Sequence, residues 1–361
     1  MTDLDLTADL PTLTRAICDV PSVSGAEGPL ADLVERALRA LPHLEVLRDG
    51  DAVVARTHLG RPRRVAIAGH LDTVPIADNV PSRLEGDGAD AELWGRGTVD
   101  MKAGVAVQLA LAAELTAPLH DVTWVFYDHE EVAAELNGLG RVAAAHPDWL
   151  AADFAVLGEP TAGGVEGGCN GTLRAEAVVP GVAAHSARAW TGVNAIHRAG
   201  ELLRRLDEYV PATVTVDGLE YREGLNAVLI AGGTAANVIP DRCVVTVNYR
   251  FAPVRSIAEA EAHVREVLHG YDVTVVDAAA GALPGLDDPA AREFVAAVLG
   301  ATGRAPVAKL GWTDVARFSS LGVPAVNFGP GDPLLAHTRE ERCPVAQIEQ
   351  VHAALRAWLA G

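Results

Sequence analysis

Cysteine is scarce in this sequence, which has four cysteines among 361 residues. They lie far apart, at Cys18, Cys169, Cys243 and Cys343, and no two of them form a C-x-x-C pair. This spacing argues against metal sites built from thiolates and favours a reducing compartment. The ligands of any metal site would then be imidazoles and carboxylates.

Long apolar runs are also missing. Apolar residues make up 49% of the chain, but no uncharged apolar run approaches the roughly 18 residues that a membrane-spanning helix requires. The first ten residues carry three aspartates and no lysine or arginine, whereas a signal peptide begins with a positively charged segment. We therefore expect a cytoplasmic protein without a membrane partner.

Positive charge is in short supply. There are 29 lysines and arginines against 48 aspartates and glutamates, which gives a formal net charge of −19. Such a chain would repel the phosphates of nucleic acids, so we expect no nucleic-acid partner. No G-x-S-x-G elbow and no G-x-x-x-x-G-K-[ST] loop occurs, which argues against a serine hydrolase of that type and against a P-loop nucleotide site.

The first 160 residues alternate strands with helices. Short apolar runs at 65–69, 122–127 and 153–157 predict strands buried on both faces, and helical patterns at 103–115 and 139–145 lie between them. This order predicts a mainly parallel sheet covered by helices. Ligands of such sheets gather at the carboxyl ends of the strands.

The pattern changes near residue 172 and returns near residue 284. Between them the order is strand, helix, two strands, helix and strand, which predicts an α+β unit of the ferredoxin-like kind. The βα style resumes with a helix at 289–299, a strand at 323–328 and a helix at 346–359. We therefore expect an α/β catalytic domain made of residues 1–172 and 283–361, with a domain inserted at 173–282.

Acidic and imidazole side chains follow the predicted strands. One glycine-rich turn, GRGTVDMK at 95–102, leads to another acidic residue, and a further histidine comes late in the chain. The candidates are His70, Asp72, Asp100, Glu130, Glu131, Glu159 and His337. Imidazole and carboxylate ligands suit Zn²⁺, Mn²⁺ or Co²⁺ in a hydrolytic site. A bridging carboxylate could hold two ions, whose charge would relieve the repulsion among the acids.

Each candidate also has a simpler interpretation. Asp100 precedes an apolar helix and is suited to be its N-cap. Glu130 and Glu131 could start a solvated helix, and Asp72 could be a turn residue. Spacing alone would not associate His337 with the others. The seven residues together indicate a metal site more specifically than any one of them alone.

Nine segments together resemble the M20 family of dinuclear zinc amidohydrolases and peptidases. They are PSVSG at 21–25, GHLDTVP at 69–75, GRGTVDMK at 95–102, YDHEE at 127–131, GEPT at 158–161, AHSAR at 184–188, NVIP at 237–240, GWTD at 311–314 and GPGDPLLAH at 329–337. The resemblance runs almost from end to end. It implies a zinc-peptidase-like catalytic domain with an inserted dimerisation, or lid, domain.

The resemblance implies two Zn²⁺ ions per chain, with Co²⁺ or Mn²⁺ as substitutes. His70, Asp100 and Glu159 would bind one ion. Asp100, Glu131 and His337 would bind the other. Asp72 would fix the tautomer of His70, and Glu130 would be the general base.

The same resemblance also implies residues that contact the substrate. His185 would stabilise the oxyanion, usually from the partner subunit of a homodimer formed through the inserted domain. Asn237, Arg250, Arg188 and Thr313 would contact the substrate. For His185 and Arg250, a surface histidine and a strand-edge charge are the alternatives.

The activity implied by the resemblance is hydrolysis of the amide bond in a small N-acyl amino acid. Within the family, the looser segments favour N-succinyl-LL-2,6-diaminopimelate, an intermediate of lysine and diaminopimelate biosynthesis. Acetylornithine deacetylation, aminoacylase activity and dipeptidase activity stay open as alternatives. A non-catalytic binding module of the same fold is disfavoured, because no expected ligand or general base is missing.

Overall fold

A computed structural model of the chain describes residues 3–300 and 302–361 and divides into two units. The first contains the described residues up to Gly168, together with those of Pro284–Ala308 and Thr313–Gly361. The second contains Cys169–Leu283 and the short segment Lys309–Trp312. The division of the catalytic and inserted domains at residues 172 and 282 stays a prediction.

The α-helices follow one another in chain order. They are α1 Leu10–Cys18, α2 Gly28–Arg39, α3 Lys102–Glu114, α4 Gly138–Ala145, α5 Ala195–Asp207, α6 Ile257–Val267, α7 Pro289–Leu299, α8 Val315–Ser320 and α9 Val345–Ala360. None of these helices, which cover only the described residues, is both long and apolar enough to cross a bilayer.

The strands are between two and ten residues long. They are β1 Glu45–Asp49, β2 Ala52–Arg56, β3 Arg64–His70, β4 Arg83–Glu85, β5 Glu92–Trp94, β6 Asp121–Tyr127, β7 Phe154–Leu157, β8 Glu166–Gly167, β9 Gly171–Pro180, β10 Ala184–His185, β11 Thr213–Val216, β12 Leu219–Arg222, β13 Gly224–Gly232, β14 Val238–Ile239, β15 Arg242–Phe251, β16 Asp272–Ala279, β17 Val307–Ala308, β18 Ala325–Asn327 and β19 Arg342–Pro344.

An eight-stranded mixed sheet forms the first unit, in the order β1-β2-β6-β3-β7-β18-β8-β17. Strand β3 lies between β6 and β7 and pairs in parallel with both, and β7 pairs in parallel with β18. The first two strands form an antiparallel hairpin that joins the edge of β6. The predicted α/β class with a mainly parallel sheet is therefore confirmed.

Glycines allow α3 to pack directly against the end of β7. A Cβ atom on Gly104 of α3 would lie 2.2 Å from the carbonyl oxygen of Gly158, and one on Gly329 would also lie 2.2 Å from that atom. No side chain fits at either position, so backbone meets backbone here. This contact brings the turn before α3 close to Glu159, which follows Gly158.

An aromatic cluster closes the core of the first unit behind the sheet. The rings of Phe294 and Trp358 are T-shaped with centroids 4.8 Å apart, and Phe154 lies 5.4 Å from Phe294. These rings join β7, α7 and α9. They fix the C-terminal helices against the sheet, and with them the loop that precedes α9.

The second unit contains a four-stranded antiparallel sheet in the order β13-β15-β9-β16, and α5 and α6 contact it. The connectivity β9-α5-β13-β15-α6-β16 agrees with the predicted ferredoxin-like order. The segment Lys309–Trp312 groups with this unit, since the Asn170 N–H donates to the Lys309 carbonyl and the Trp312 indole N–H donates to the Ala280 carbonyl. No pattern in the sequence predicted that this segment, which lies beyond the inserted domain in sequence, would group with the second unit.

Candidate metal centre and active site

His70 stands at the carboxyl end of β3, where it is completely buried. Its Nδ1 lies 3.0 Å from the backbone carbonyl oxygen of Asp72 and 3.5 Å from a carboxylate oxygen of the same residue. Both atoms are acceptors, and Nε2 also faces an acceptor, Oδ1 of Asp100. With a cation bound at Nε2, the ring proton would lie on Nδ1, where both of these partners can accept it.

Asp100 lies between two imidazoles. Its Oδ1 is 3.0 Å from Nε2 of His70, and its Oδ2 is 3.2 Å from Nε2 of His337. The preceding turn contains Gly95 and Gly97 with φ of 153° and 83°, conformations that suit glycine. The two oxygens of one carboxylate thus face two different histidines.

Two more carboxylates complete the arrangement. Oε1 of Glu131 is 3.0 Å from Nε2 of His337, and Oε1 of Glu159 is 4.0 Å from Nε2 of His70. Ligand atoms of His70, Asp100 and Glu131 all lie within 4.8 Å of one another. Neighbouring ligands of a tetrahedral zinc ion are about 3.3 Å apart for bonds of about 2.05 Å.

The donor set therefore fits divalent cations. The nitrogen and oxygen donors of His70, Asp100 and Glu131 suit Zn²⁺, and the two predicted groups of three ligands, which share Asp100, offer the same kinds of donor. The side chains of Asp100, Glu131 and Glu159 are 15%, 8% and 6% exposed. Three carboxylates so close together and so little hydrated need compensating positive charge.

The pKa values of the imidazoles show the same excess of negative charge. Burial alone would lower the pKa of His70, but the Asp100 and Asp72 carboxylates hold it well above its ordinary value. Hydrogen bonds to Asp100 and Glu131 raise the pKa of His337 to about 10. Although burial opposes it, contact with the two histidines lowers the pKa of Asp100.

Asp72 organises the loop after β6. Its Oδ1 accepts the backbone N–H of Glu130 and its Oδ2 accepts that of Glu131, both at 3.0 Å, and the Ser24 hydroxyl donates to Oδ2 at 2.7 Å. Burial would raise the pKa of this carboxyl, but His70 and these donors lower it to about 2. One carboxylate thus orients a histidine and fixes the backbone of two glutamates.

Glu130 lies beside the ligands without belonging to either group of three. Burial raises the pKa of its carboxyl well above the ordinary value; His70 opposes this shift, while Glu159, Asp314 and Glu131 add to it. A carboxylate with a raised pKa accepts a proton more readily than an ordinary glutamate, as a general base must.

Two interpretations considered for the sequence are wrong. Asp100 does not cap α3, because the N-cap position is Met101 and no side chain makes a capping bond there. Glu130 and Glu131 do not begin a helix either, since they lie in the loop between β6 and α4. The structure therefore gives Asp100, Glu130 and Glu131 no role in starting a helix.

A buried ion pair beside Asp100 was not anticipated. Nη1 of Arg96 is 2.7 Å from Oε2 of Glu341, and the two side chains are 4% and 1% exposed. Arg96 lies within the GRGTVDMK segment and Glu341 lies four residues after His337. Their closeness in sequence to Asp100 and His337 could have drawn attention to Arg96 and Glu341. Nothing in the sequence, however, linked Arg96 to Glu341.

A second unanticipated network supports the loop that carries Glu130. Nδ1 of His129 is 2.7 Å from Asp128 and 3.4 Å from the buried Glu27, and Glu27 also accepts the His129 backbone N–H. Arg141 donates to both carboxylate oxygens of Asp128, at 2.7 and 3.1 Å. His129 is held in the left-handed region, with φ of 58°.

The second unit holds most of the predicted substrate contacts. His185 is exposed and its Nδ1 accepts the Ala187 N–H at 3.0 Å, so the ring proton lies on Nε2 and is available to a ligand. The Ser186 N–H donates to the carbonyl of Asn237, which joins the two loops. Arg188 lies on the exposed 3-10 turn after His185, and Arg250 lies near the end of β15.

Thr313 belongs to the first unit, where it is buried and donates its hydroxyl to the side chain of Asn327 at 3.0 Å. The roles assigned to Thr313, Asn237, Arg250 and Arg188 stay predictions.

Comparison with known proteins gives one family. Residues 66–360 match the model of Peptidase family M20/M25/M40. The chain is 56% identical to a provisionally named succinyl-diaminopimelate desuccinylase, DapE, of Mycobacterium tuberculosis, over 99% of this chain and 100% of the relative. It is 50% identical to a succinyl-diaminopimelate desuccinylase of Corynebacterium glutamicum, over 99% and 97%.

Among solved structures, a tripeptidase from Staphylococcus aureus has a similar fold. The TM-score is 0.79 with 18% identity, and the match covers 99% of each chain. At that identity the likeness concerns the fold alone.

Proposed function

Because this chain belongs to Peptidase family M20/M25/M40, we propose that it is a metal-dependent amide hydrolase that acts on N-succinyl-LL-2,6-diaminopimelate. The reaction adds water to the amide and gives succinate and LL-2,6-diaminopimelate, a step of lysine and diaminopimelate biosynthesis in the cytoplasm. The observation that carries this substrate is identity of 56% and 50% over nearly the whole chain to two relatives that bear the desuccinylase name.

The proposed cofactor is a pair of Zn²⁺ ions, for which Co²⁺ or Mn²⁺ can substitute. His70, Asp100 and Glu159 would hold one ion, and Asp100, Glu131 and His337 would hold the other. The support is Asp100 itself, whose two oxygens face two different imidazoles at 3.0 and 3.2 Å. When bound, such ions would polarise the scissile carbonyl and lower the pKa of a water molecule, so that it loses a proton more readily.

The residues of the chain supply the rest of the reaction. Glu130 takes the proton of the attacking water as the C–O bond forms and passes it to the nitrogen as the C–N bond breaks. Asp72 keeps the His70 proton on Nδ1 and holds the backbone of Glu130. His185, with its proton on Nε2, donates to the carbonyl oxygen as negative charge develops there.

Substrate recognition falls mainly to the inserted domain, residues 173–282. Arg250 is suited to bidentate binding of a succinyl or diaminopimelate carboxylate, and Asn237 and Arg188 can donate further hydrogen bonds. Thr313 would contribute from the catalytic domain.

We also propose that the protein is a homodimer joined through β13. This strand is at the edge of its sheet, and three consecutive apolar residues on it, Val228, Leu229 and Ile230, are 49%, 68% and 51% exposed. An exposed apolar edge strand readily pairs with another chain. His185 would act across this interface, in the active site of the partner.

Parallel kinetics on three substrate classes test the activity. We expect kcat/KM for N-succinyl-LL-2,6-diaminopimelate to exceed that for N-acetylornithine and for dipeptides by at least about 100-fold, the size expected when a buried recognition group loses its partner. A higher value for either competitor would reassign the enzyme within its family. Absence of hydrolysis with all three, in a protein loaded with zinc, would contradict a catalytic role.

A further inference from the structure

The Arg96–Glu341 ion pair is tied to the backbone of the Asp100 turn. Oε1 of Glu341 accepts the N–H groups of Val99 and Asp100 at 3.0 and 3.1 Å, and the Glu341 carbonyl accepts the Gly95 N–H at 3.0 Å. Both ends of the turn are therefore held by one residue from a distant part of the chain. We call these contacts of Arg96 and Glu341 with the turn the clamp, and the position of the Asp100 carboxylate depends on it.

Arg96 extends the same clamp to two other loops. Its Nε donates to the Pro75 carbonyl at 3.2 Å, in the segment that follows His70 and Asp72. Its Nη1, besides contacting Glu341, donates to the Thr338 carbonyl at 3.3 Å. Thr338 is the neighbour of His337, so the guanidinium connects loops from both sides of the ligand cluster.

His337 needs such support because of its backbone conformation. Its φ of 64° lies in the left-handed region, which a histidine adopts only when its surroundings hold it there. The imidazole is itself 52% exposed and is therefore not fixed by burial. The hydrogen bond to the next residue's carbonyl is one of the contacts that can hold it.

We propose that Arg96 and Glu341 are positioning residues that set the separation of Asp100 and His337 before a cation binds. Neither side chain is a ligand. The inference rests on the proposed dinuclear site, and it states that this pair increases the affinity of that site for metal ions. Burying two charges is costly, and such a pair often adds little to stability compared with apolar side chains. The contribution of the ion pair would then be to hold the two loops in the geometry that metal binding requires.

The ion held by Asp100, Glu131 and His337 is expected to depend on the pair most. Two of its three ligands lie on segments that the pair fixes, whereas His70 and Glu159 are positioned by β3 and by the end of β7. Loss of a supporting hydrogen bond around a metal site typically lowers affinity by about 10–100-fold. The other ion shares only Asp100, so its affinity should fall less.

The test compares Glu341→Gln and Arg96→Lys with wild type and with Glu340→Gln, a control that alters the exposed neighbouring glutamate. The Glu341→Gln side chain keeps an oxygen for the two N–H groups but loses the charge that pairs with Arg96. Lysine at position 96 keeps the charge but lacks the planar fork that reaches three acceptors. Metal affinities are measured by competition with a chelator, and the ligand geometry by the absorption spectrum of the Co²⁺-loaded protein. Unfolding temperatures are recorded in EDTA.

We expect Glu341→Gln to bind the ion held by Asp100, Glu131 and His337 about 10–100-fold less tightly and to alter the Co²⁺ spectrum. Arg96→Lys should show the same effects to a smaller extent, and Glu340→Gln should match wild type. A folded Glu341→Gln protein that binds both ions with wild-type affinity overturns the inference. If that variant does not fold, wild-type affinity in Arg96→Lys overturns it. If neither folds, the pair acts on stability and the inference is also wrong. A wild-type protein that binds fewer than two ions contradicts the proposed dinuclear site instead.

Discussion

Glu130 and Glu131 are adjacent in sequence, and the structure gives them different surroundings. Glu131 lies 3.0 Å from His337, whereas Glu130 is held through its backbone by Asp72 and is in neither ligand group. Glu130 can therefore be changed without removing a proposed ligand. This separation allows the chemistry to be tested apart from metal binding.

We predict that Glu130→Gln lowers kcat by about 10²- to 10⁴-fold, the usual contribution of a general base. Its metal content, measured by elemental analysis, should equal that of wild type because all five proposed ligands are retained. Glu135→Gln, an exposed change in the same loop, serves as the control. Wild-type kcat in a metal-loaded Glu130→Gln protein would show that another group moves the proton.

Glu223 is a buried carboxylate of the second unit that has no role in the proposed chemistry. Its Oε1 accepts Arg255 Nε at 2.6 Å and the Ala252 N–H at 3.0 Å, and its Oε2 accepts the Tyr249 hydroxyl at 2.8 Å. Burial would raise the pKa of Glu223, but these donors lower it below the ordinary value. The carboxylate thus stabilises the folded state while it is ionised.

A lowered folded pKa means that this stabilisation is complete above the unfolded pKa of about 4.3 and is lost as the pH falls below it. We predict that Glu223→Gln destabilises the second unit by about 1–3 kcal/mol at pH 7, and that the difference from wild type shrinks between pH 5 and pH 3. Hydrogen exchange in β13 and β15 at several pH values measures it. A difference that stays constant over this range would show that the charge of Glu223 is not responsible.

Most elements of the fold could be read from local patterns. The buried strands β3, β6 and β7 are continuous apolar runs, and α7 begins and ends at the predicted residues Pro289 and Leu299. The edge hairpin of β1 and β2 and the small sheet of β4, β5 and β19 were not predicted. Their strands are short or mixed in polarity, and pairing partners such as β5 and β19 are about 250 residues apart.

Some residues of the candidate site could likewise be predicted from the sequence, and others could not. Each proposed ligand but His337 follows a strand or a glycine turn, so its place at the sheet edge could be inferred from the sequence. The pairing of Arg96 with Glu341 spans 245 residues and leaves no periodic signal. His337 was a candidate that spacing alone did not associate with the others, and the structure places it beside Asp100 and Glu131.

The exposed edge of β13 leads to a prediction about assembly. Leu229→Arg places a charge among apolar residues that would be buried between two copies, which is costly without a partner charge. We predict that light scattering after size exclusion finds a dimer for wild type and a monomer for Leu229→Arg. Val210→Arg, which changes another residue of the same unit that is 85% exposed, should remain dimeric. A monomeric wild type at micromolar concentration would exclude the dimer.

On the scale of the whole molecule, the proposed dimer would determine whether an active site is complete. If His185 serves the partner's site, inactive His185→Ala and inactive Glu130→Gln chains form mixed dimers with one working site. That site combines Glu130 of the first chain with His185 of the second. We predict that activity is recovered when the two variants are refolded together and the mixed dimers are isolated by paired affinity tags. Mixed dimers without activity would place His185 and Glu130 of the same chain in one site.

The clamp on the Asp100 turn has a consequence for biosynthesis of the protein. Glu341 lies 241 residues after Asp100, a stretch that a ribosome needs roughly 10–50 s to translate. During that time the emerging polypeptide already displays His70, Asp100 and Glu131 but has neither His337 nor its support. In the proposed dinuclear site, tight capture of the ion held by Asp100, Glu131 and His337 would have to wait until Glu341 has left the ribosome. Truncated products that lack His337 and Glu341 would then be left without that ion.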